Sequence, residues 1–397
     1  MAGTAERMRA YGGPAVLSYG FRPFFLLGAI WAALVVAVSL PLLAGSLTLP
    51  TALSPLEWHV HELVYGYVVA TVAGFLLTAV PNWTGRLPVS GAPLLALVLL
   101  WAAGRLAILL SAYIGMTSAA AVDLLFLTTL TGVIAREIVA GKSLHNLKVL
   151  VLVGLLFIGN AAFHAETILA RGGSGYGTRI GIGAIVLLII LIGGRIVPSF
   201  TRNWLARERP GRLPVPFGRF DAVSIAVAAA AVAGWIALPE AMVPTAALAG
   251  VAGLLHAVRL GRWAGYRTAG EPLLLVLHVA YAFVPIGFLL LALSIAAPGL
   301  VVASGALHGW TAGAIGTMTL AVMTRASLGH TGQALVASPA TQLIYAGVVI
   351  AAAARILSAF DIWREASLTI SATTWVLAFA GFAASFGPML LRPMRRT

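Results

Sequence analysis

The 397-residue chain contains no cysteine. That absence rules out thiolate metal ligands, iron–sulfur clusters, disulfides and the C-x-x-C-H attachment of a c-type haem. Any metal must be held by histidine, methionine, tyrosine or carboxylate. Charge is the second scarcity: 9% of residues are charged and 60% are hydrophobic, against about 25% charged in a soluble domain. A chain so poor in charge is a membrane protein on composition alone. Its net charge of +13 does not indicate nucleic acid. The basic residues sit in short gaps between apolar runs, as loop charges of an inner-membrane protein do. Met1 to Tyr19 lacks the apolar core and the cleavage site of a signal peptide. No gap between apolar runs is long enough for a soluble domain.

What is present is a series of apolar runs of the usual membrane-helix length, about 20 residues. They predict an all-α, polytopic bundle of about twelve transmembrane helices, one integral membrane domain over residues 1–397. The expected spans are 21–44, 57–80, 93–113, 118–138, 147–170, 179–200, 220–238, 243–260, 272–296, 300–323, 339–359 and 366–391. The longest polar gap is 201–219, with five arginines from Arg202 to Arg219. With the N-terminus inside, the inner segments hold Arg7, Arg9, Arg22, Arg86, Arg136, Lys142, Lys148, Arg195, those five arginines, Arg259, Arg262, Arg267, Arg325, Arg392, Arg395 and Arg396. The outer segments hold Arg171, Arg179, Arg355 and Arg364, and Arg105 lies within a helix. The positive-inside rule then places both termini in the cytoplasm. Ala79-Val80-Pro81-Asn82-Trp83-Thr84 echoes Ile196-Val197-Pro198-Ser199-Phe200-Thr201, and more weakly Ala321-Val322-Met323-Thr324-Arg325. Each lies at the inner end of the second helix of a block of four, which suggests three pseudo-repeats of four helices.

The stretch Trp58-His59-Val60-His61-Glu62 opens the second span. Ionisable side chains inside a membrane are functional candidates by default. At about 1.5 Å rise per residue, His61 lies roughly 10 Å, His164 roughly 8 Å and His308 roughly 5 Å outside the midplane. These three can share one layer, with His59 nearer the surface. His278 and His256 are on the inner side, with His145 and His330 in loops. A single membrane histidine often only bonds a neighbouring helix. Several at one depth on different helices read instead as ligands for iron, copper or zinc. On a regular helix, residues two apart point about 200° away from each other. His59 and His61 therefore serve opposite faces, unless the segment is irregular. His61 shares a face with Tyr65, and Glu62 is placed to orient a ligand imidazole. Arg105 and Asp123, on adjacent helices, read as a structural pair. Arg195 and Arg325, near inner helix ends, either snorkel or bind carboxylates such as haem propionates.

Several of these words resemble the NnrS family. They are Trp58-His59-x-His61-Glu62 with Gly74-Phe75-Leu76-Leu77-Thr78-Ala79-Val80-Pro81-Asn82-Trp83-Thr84-Gly85-Arg86, then Gly193-Gly194-Arg195-Ile196-Val197-Pro198, then Asn160-x-x-Phe163-His164, and Met318-Thr319-Leu320-Ala321-Val322-Met323-Thr324-Arg325 with Leu328-Gly329-His330-Thr331-Gly332. His278 and Tyr281 match a further motif. The resemblance covers nearly the whole chain. It implies an inner-membrane protein associated with haem, copper, denitrification and resistance to nitric oxide. In that reading ferrous haem binds the gas and a nearby copper stabilises bound species or passes electrons, as a haem–copper oxidoreductase would. The haem would be b-type, since no cysteine is available for attachment. His59, His61, His164, His278 and His308 supply about the number of rings required, with Arg195 and Arg325 at the cofactor, and Glu62, Tyr65 and Tyr281 behind the ligands. Lipid, nitric oxide and an electron donor that the sequence does not identify are the expected partners. The rival reading is a secondary transporter, with the histidines and Glu62 as proton-relay or substrate groups.

Overall fold

The computed structural model describes residues 11–169, 175–238 and 242–393. Arg7, Arg9, Arg171, Arg395 and Arg396, counted above for orientation, lie outside them. The described residues form helices joined by short loops, with no strand among them. The fold is an all-α polytopic membrane bundle. The long helices are α1 (Phe21–Leu43), α2 (Pro55–Thr84), α3 (Ala92–Leu109), α4 (Met116–Ala140), α5 (Leu147–Ile168) and α6 (Tyr176–Glu208). Then follow α7 (Arg219–Ala237), α8 (Met242–Gly261), α9 (Pro272–Ala296), α10 (309–330), α11 (Pro339–Ala359) and α12 (Arg364–Leu391). Among the described residues, eleven are long and apolar enough by themselves to cross a membrane. The exception, α10, joins a wide-turn segment, Gly309–Gly316, to the helix Thr317–His330. It sits several residues C-terminal to the expected span.

Local chemistry explains the departures of α2 and α6 from the expected boundaries. Helix α2 starts before Glu57 because Ser54 caps it: the Glu57 amide donates to Ser54 Oγ and the Ser54 amide donates to Glu57 Oε2, with Pro55 at the first helical position. The helix ends at Gly85, whose φ of +69° suits the left-handed conformation there. Helix α6 runs on to Glu208, through residues that read as a polar loop. Long basic side chains and a polar face are compatible with a helix that leaves the membrane.

Helices α2, α6 and α10 each contain a π segment, at Glu62–Val68, Ile189–Gly193 and Gly309–Gly316. They are the second, sixth and tenth of the twelve long helices. A π turn inserts one residue and takes carbonyls out of the regular ladder, and such turns concentrate at functional sites. Side chains supply donors at each one: Trp101 Nε1 to Gly66 O at 2.9 Å, Arg259 Nη1 to Ile190 O at 3.3 Å and Thr319 Oγ1 to Gly316 O at 2.9 Å.

The chain forms two compact units. The first comprises 1–184, 326–334 and 379–397, and the second 185–325 and 335–378. In the first, α1 packs on α2, α3 on α4 and α4 on α5. In the second, α8 packs on both α7 and α9, and α9 and α11 pack on the π segment of α10. Lipid offers no hydrophobic drive for helices to associate, so close packing at small residues carries much of the stability. Gly181 of α6 shows the tolerance. A Cβ there would lie 2.5 Å from the Tyr65 hydroxyl, which donates to Gly177 O at 2.5 Å, and Gly159 crowds the same oxygen from α5. Gly181→Ala must move α6 or break that bond. The expected cost is about 1–3 kcal/mol, measured as a lower unfolding temperature of the detergent-purified protein; an unchanged temperature would show slack where the structure shows none.

Candidate metal centre

Three helices of the first unit bring their rare polar residues to one buried point. Helix α2 supplies His61 and Glu62, α4 supplies Asp123, and α5 supplies Asn160 and His164. All five are at most 2% exposed. His61, Asn160 and His164 converge on one atom, Asp123 Oδ2. His164 Nε2 is 2.9 Å from it, His61 Nε2 3.3 Å, and Asn160 Nδ2 donates to it at 2.7 Å. One ligand atom each from His61, Asp123 and His164 lies within 4.8 Å of the others, and this is the metal-type group found among the described residues. Ligands about 2.1 Å from an ion at tetrahedral or octahedral angles are roughly 3.0–3.4 Å apart. The two nitrogen–oxygen separations, 2.9 and 3.3 Å, are close to that spacing.

A second layer holds the first. His61 Nδ1 meets Glu62 Oε1 at 3.0 Å, the carboxylate–imidazole pairing that orients ligand rings. Glu62 is fixed in turn by Arg105 Nη1 at 2.8 Å and by Trp31 Nε1 at 2.8 Å. Arg105 Nη2 also donates to Asp123 Oδ1, leaving Oδ2 for the centre. Gly104 allows α3 this close, since a Cβ there would lie 2.7 Å from Asp123 Oδ1. The π segment begins at Glu62, directly after His61. Two carboxylates here meet one guanidinium, and both His61 nitrogens face acceptor oxygens, so the second negative charge is balanced either by a doubly protonated His61 or by a cation at its Nε2.

The residues singled out from sequence fall in several places. His61 and His164 come together, with ring centroids 5.0 Å apart, and Tyr65 is 5.5 Å from His61, on the face expected. His59 points elsewhere: its Nδ1 meets Ser39 Oγ at 2.7 Å, and Ser39 spends its own proton on Val35 O. The segment is regular helix through His61, so the two rings do serve different faces. His308, in the second unit, donates from Nδ1 to Ser304 O at 2.7 Å. In both rings Nδ1 faces an oxygen that can accept its proton. His278 Nε2 meets Thr201 Oγ1 at 2.8 Å, while its Nδ1 is buried without a hydrogen-bond partner against Gly265, where a Cβ would lie 2.4 Å away. Arg195 is exposed, and the Arg325 guanidinium lies 4.5 Å over the Phe200 ring. Tyr281 belongs to a second buried network, accepting from Arg259 Nη1 at 2.7 Å and donating to His256 Nδ1 at 2.9 Å. His256 donates from Nε2 to Ser224 O at 3.2 Å, and Arg259 Nε donates to Asp221 Oδ1 at 2.9 Å.

Asp123 and Asn160 are the two members of the centre that sequence reasoning does not single out as ligands. It pairs Asp123 only with Arg105. That pairing is real, but it uses one of two carboxylate oxygens. Asn160 precedes His164 by four residues, one helical turn, and so shares its face.

The fold and the site together define a polytopic helical membrane protein with a buried histidine–carboxylate centre. The NnrS family model matches residues 15–394. The chain belongs to the NnrS family, membrane proteins of the nitric oxide response. No curated protein matches it.

Proposed function

We propose that this protein handles nitric oxide in the bacterial inner membrane, with both termini cytoplasmic, by binding the gas at a transition-metal ion held between His61, Asp123 and His164. The convergence of those three side chains on Asp123 Oδ2 carries the reading. Family membership supports the link to nitric oxide. Imidazole with carboxylate accepts copper and iron alike. Haem b, which the family resemblance implies, would be held by His59 or His308, whose Nδ1 atoms are oriented by oxygen acceptors. When bound it would supply a redox-active iron. The chain's own contribution is to exclude water from the ligand atoms and to fix His61 through Glu62 and Arg105.

The test is metal content and the spectrum of the reduced protein with nitric oxide, by electron paramagnetic resonance. His61→Ala and His164→Ala should each insert normally, because insertion depends on the apolar runs, yet lose the non-haem metal and its nitrosyl signal. His145→Ala, in a loop between α4 and α5, should keep both. Full metal and an unaltered signal in His61→Ala would defeat the proposal.

A further inference from the structure

In the second unit, the α6–α7 connection, residues 209–218, folds against the α8–α9 connection, residues 262–271. The Val215 amide donates to Arg262 O at 3.0 Å, and the Arg267 guanidinium donates to the carbonyls of Arg209, Pro210 and Arg212. Arg202 Nη2 donates to Pro214 O. Two arginines are thus spent on main-chain oxygens, and they hold the connection in one shape. Positive charge is left over. Of the acids in these stretches, Glu208 pairs with Arg207, Asp221 pairs with Arg259, and Glu271 accepts from the Leu273 amide. Among the described residues no carboxylate forms an ion pair with Arg209, Arg212 or Arg219, and all three are exposed.

The same connections also expose apolar groups. Phe217 and Tyr266 are each 67% exposed, and Val215 is exposed as well. Helices α7 and α9 begin here and α8 ends here, so the two connections lie at the membrane–water boundary. Aromatic rings sit at headgroup level there, and arginine meets phosphate. A guanidinium matches a phosphate with two parallel hydrogen bonds. Charge alone would suit any polyanion, but rings left in the open beside the cations suit one that brings acyl chains with it. We propose that these two connections bind an anionic phospholipid, with Arg209, Arg212 and Arg219 at its phosphate and Phe217 and Tyr266 against the upper part of its chains. This site is independent of the metal centre, whose residues belong to the first unit.

Protein purified in a neutral maltoside detergent is titrated with dioleoylphosphatidylglycerol and, separately, with dioleoylphosphatidylcholine. The affinity for the first bound lipid is read by native mass spectrometry. The wild type should prefer the anionic lipid by about fivefold for each arginine that meets it, and salt should weaken the preference. Arg209→Gln combined with Arg212→Gln should lose that preference by about fivefold per residue. Lys142→Gln combined with Lys148→Gln removes the same charge between α4 and α5 and should leave the preference unchanged. Phe217→Ser should weaken binding of both lipids severalfold and keep the choice between headgroups. Inorganic phosphate, added at fixed ionic strength, should not displace the lipid. Each substituted side chain is exposed, so every variant should assemble. Equal affinity for the two lipids would overturn the proposal and leave the patch to a soluble acidic partner. An equal loss in the lysine variant would reduce the effect to net charge, and displacement by phosphate would make this a free-anion site; either result rejects the lipid.

Discussion

Asp123→Ala is expected to destabilise the protein by about 3–5 kcal/mol and to abolish metal binding at the centre. The carboxylate is 2% exposed and does four things at once. It pairs with Arg105 through one oxygen, and through the other meets His164, His61 and Asn160. Removing it leaves Arg105 paired with Glu62 alone but strands the buried donors Arg105 Nη2 and Asn160 Nδ2, and each buried polar group left without its partner costs about 1–3 kcal/mol, more where it is charged. Asp123→Asn separates the two effects. The amide keeps the volume and an acceptor for Arg105, so its cost should fall below that of alanine, while the anionic ligand is still lost. Thermal unfolding in detergent, read beside non-haem metal per chain, makes the comparison. Equal stability of Asp123→Ala and the wild type would mean that the cluster contributes nothing to the fold.

How much of this was legible depends on what each feature needs. The membrane class, the helical architecture and most helix boundaries needed only composition and run length; α9 and α11 begin and end at the expected residues, Pro272–Ala296 and Pro339–Ala359. His61 and His164 were legible because rise per residue gives depth, and depth brought them to one layer. The divergence of His59 from His61 followed from helical geometry alone. Asp123 was half legible. A lone Asp and a lone Arg on adjacent apolar helices do attract, but nothing linear shows which second partners reach the remaining oxygen. The π segments were not legible at all. One extra residue in an apolar run leaves no compositional trace, yet at Glu62–Val68 it frees the carbonyl that Trp101 caps, beside the metal-type ligands. Arg259 reads from position alone as one of the inner basic residues, and nothing linear shows that it is fully buried and turned toward Asp221. Arg22 behaves similarly, buried against the backbone oxygens of Leu390 and Arg392 at the end of α12, where a cation suits the helix dipole.

Arg259→Ala should have an effect of similar size in the second unit. The guanidinium is 0% exposed and lies 5.2 Å over Trp263. It donates to Asp221 Oδ1 from α7, to the Tyr281 hydroxyl of α9 and to the Ile190 carbonyl of the α6 π segment, so one side chain on α8 ties three other helices. Gly194 makes the space, since a Cβ there would lie 2.4 Å from Arg259 Nη2. Alanine would strand the Asp221 carboxylate, 5% exposed, with Arg262 as a distant partner at 3.8 Å. The π-segment carbonyl would also lose its donor. The expected cost is about 3–5 kcal/mol. Arg259→Lys should recover part of it, because a single ammonium restores the charge but cannot span all three acceptors. Tyr281→Phe removes one buried hydrogen-bond node and should cost about 0.6–1.7 kcal/mol, the range for single bonds between membrane helices. The paired replacement Asp221→Leu with Arg259→Leu tests the cause. It removes both charges together, so it should melt above Arg259→Ala even though it changes more atoms. If instead the double variant melts at or below the single one, the cost lies in lost packing around Trp263, and the buried ion pair is not what holds these helices.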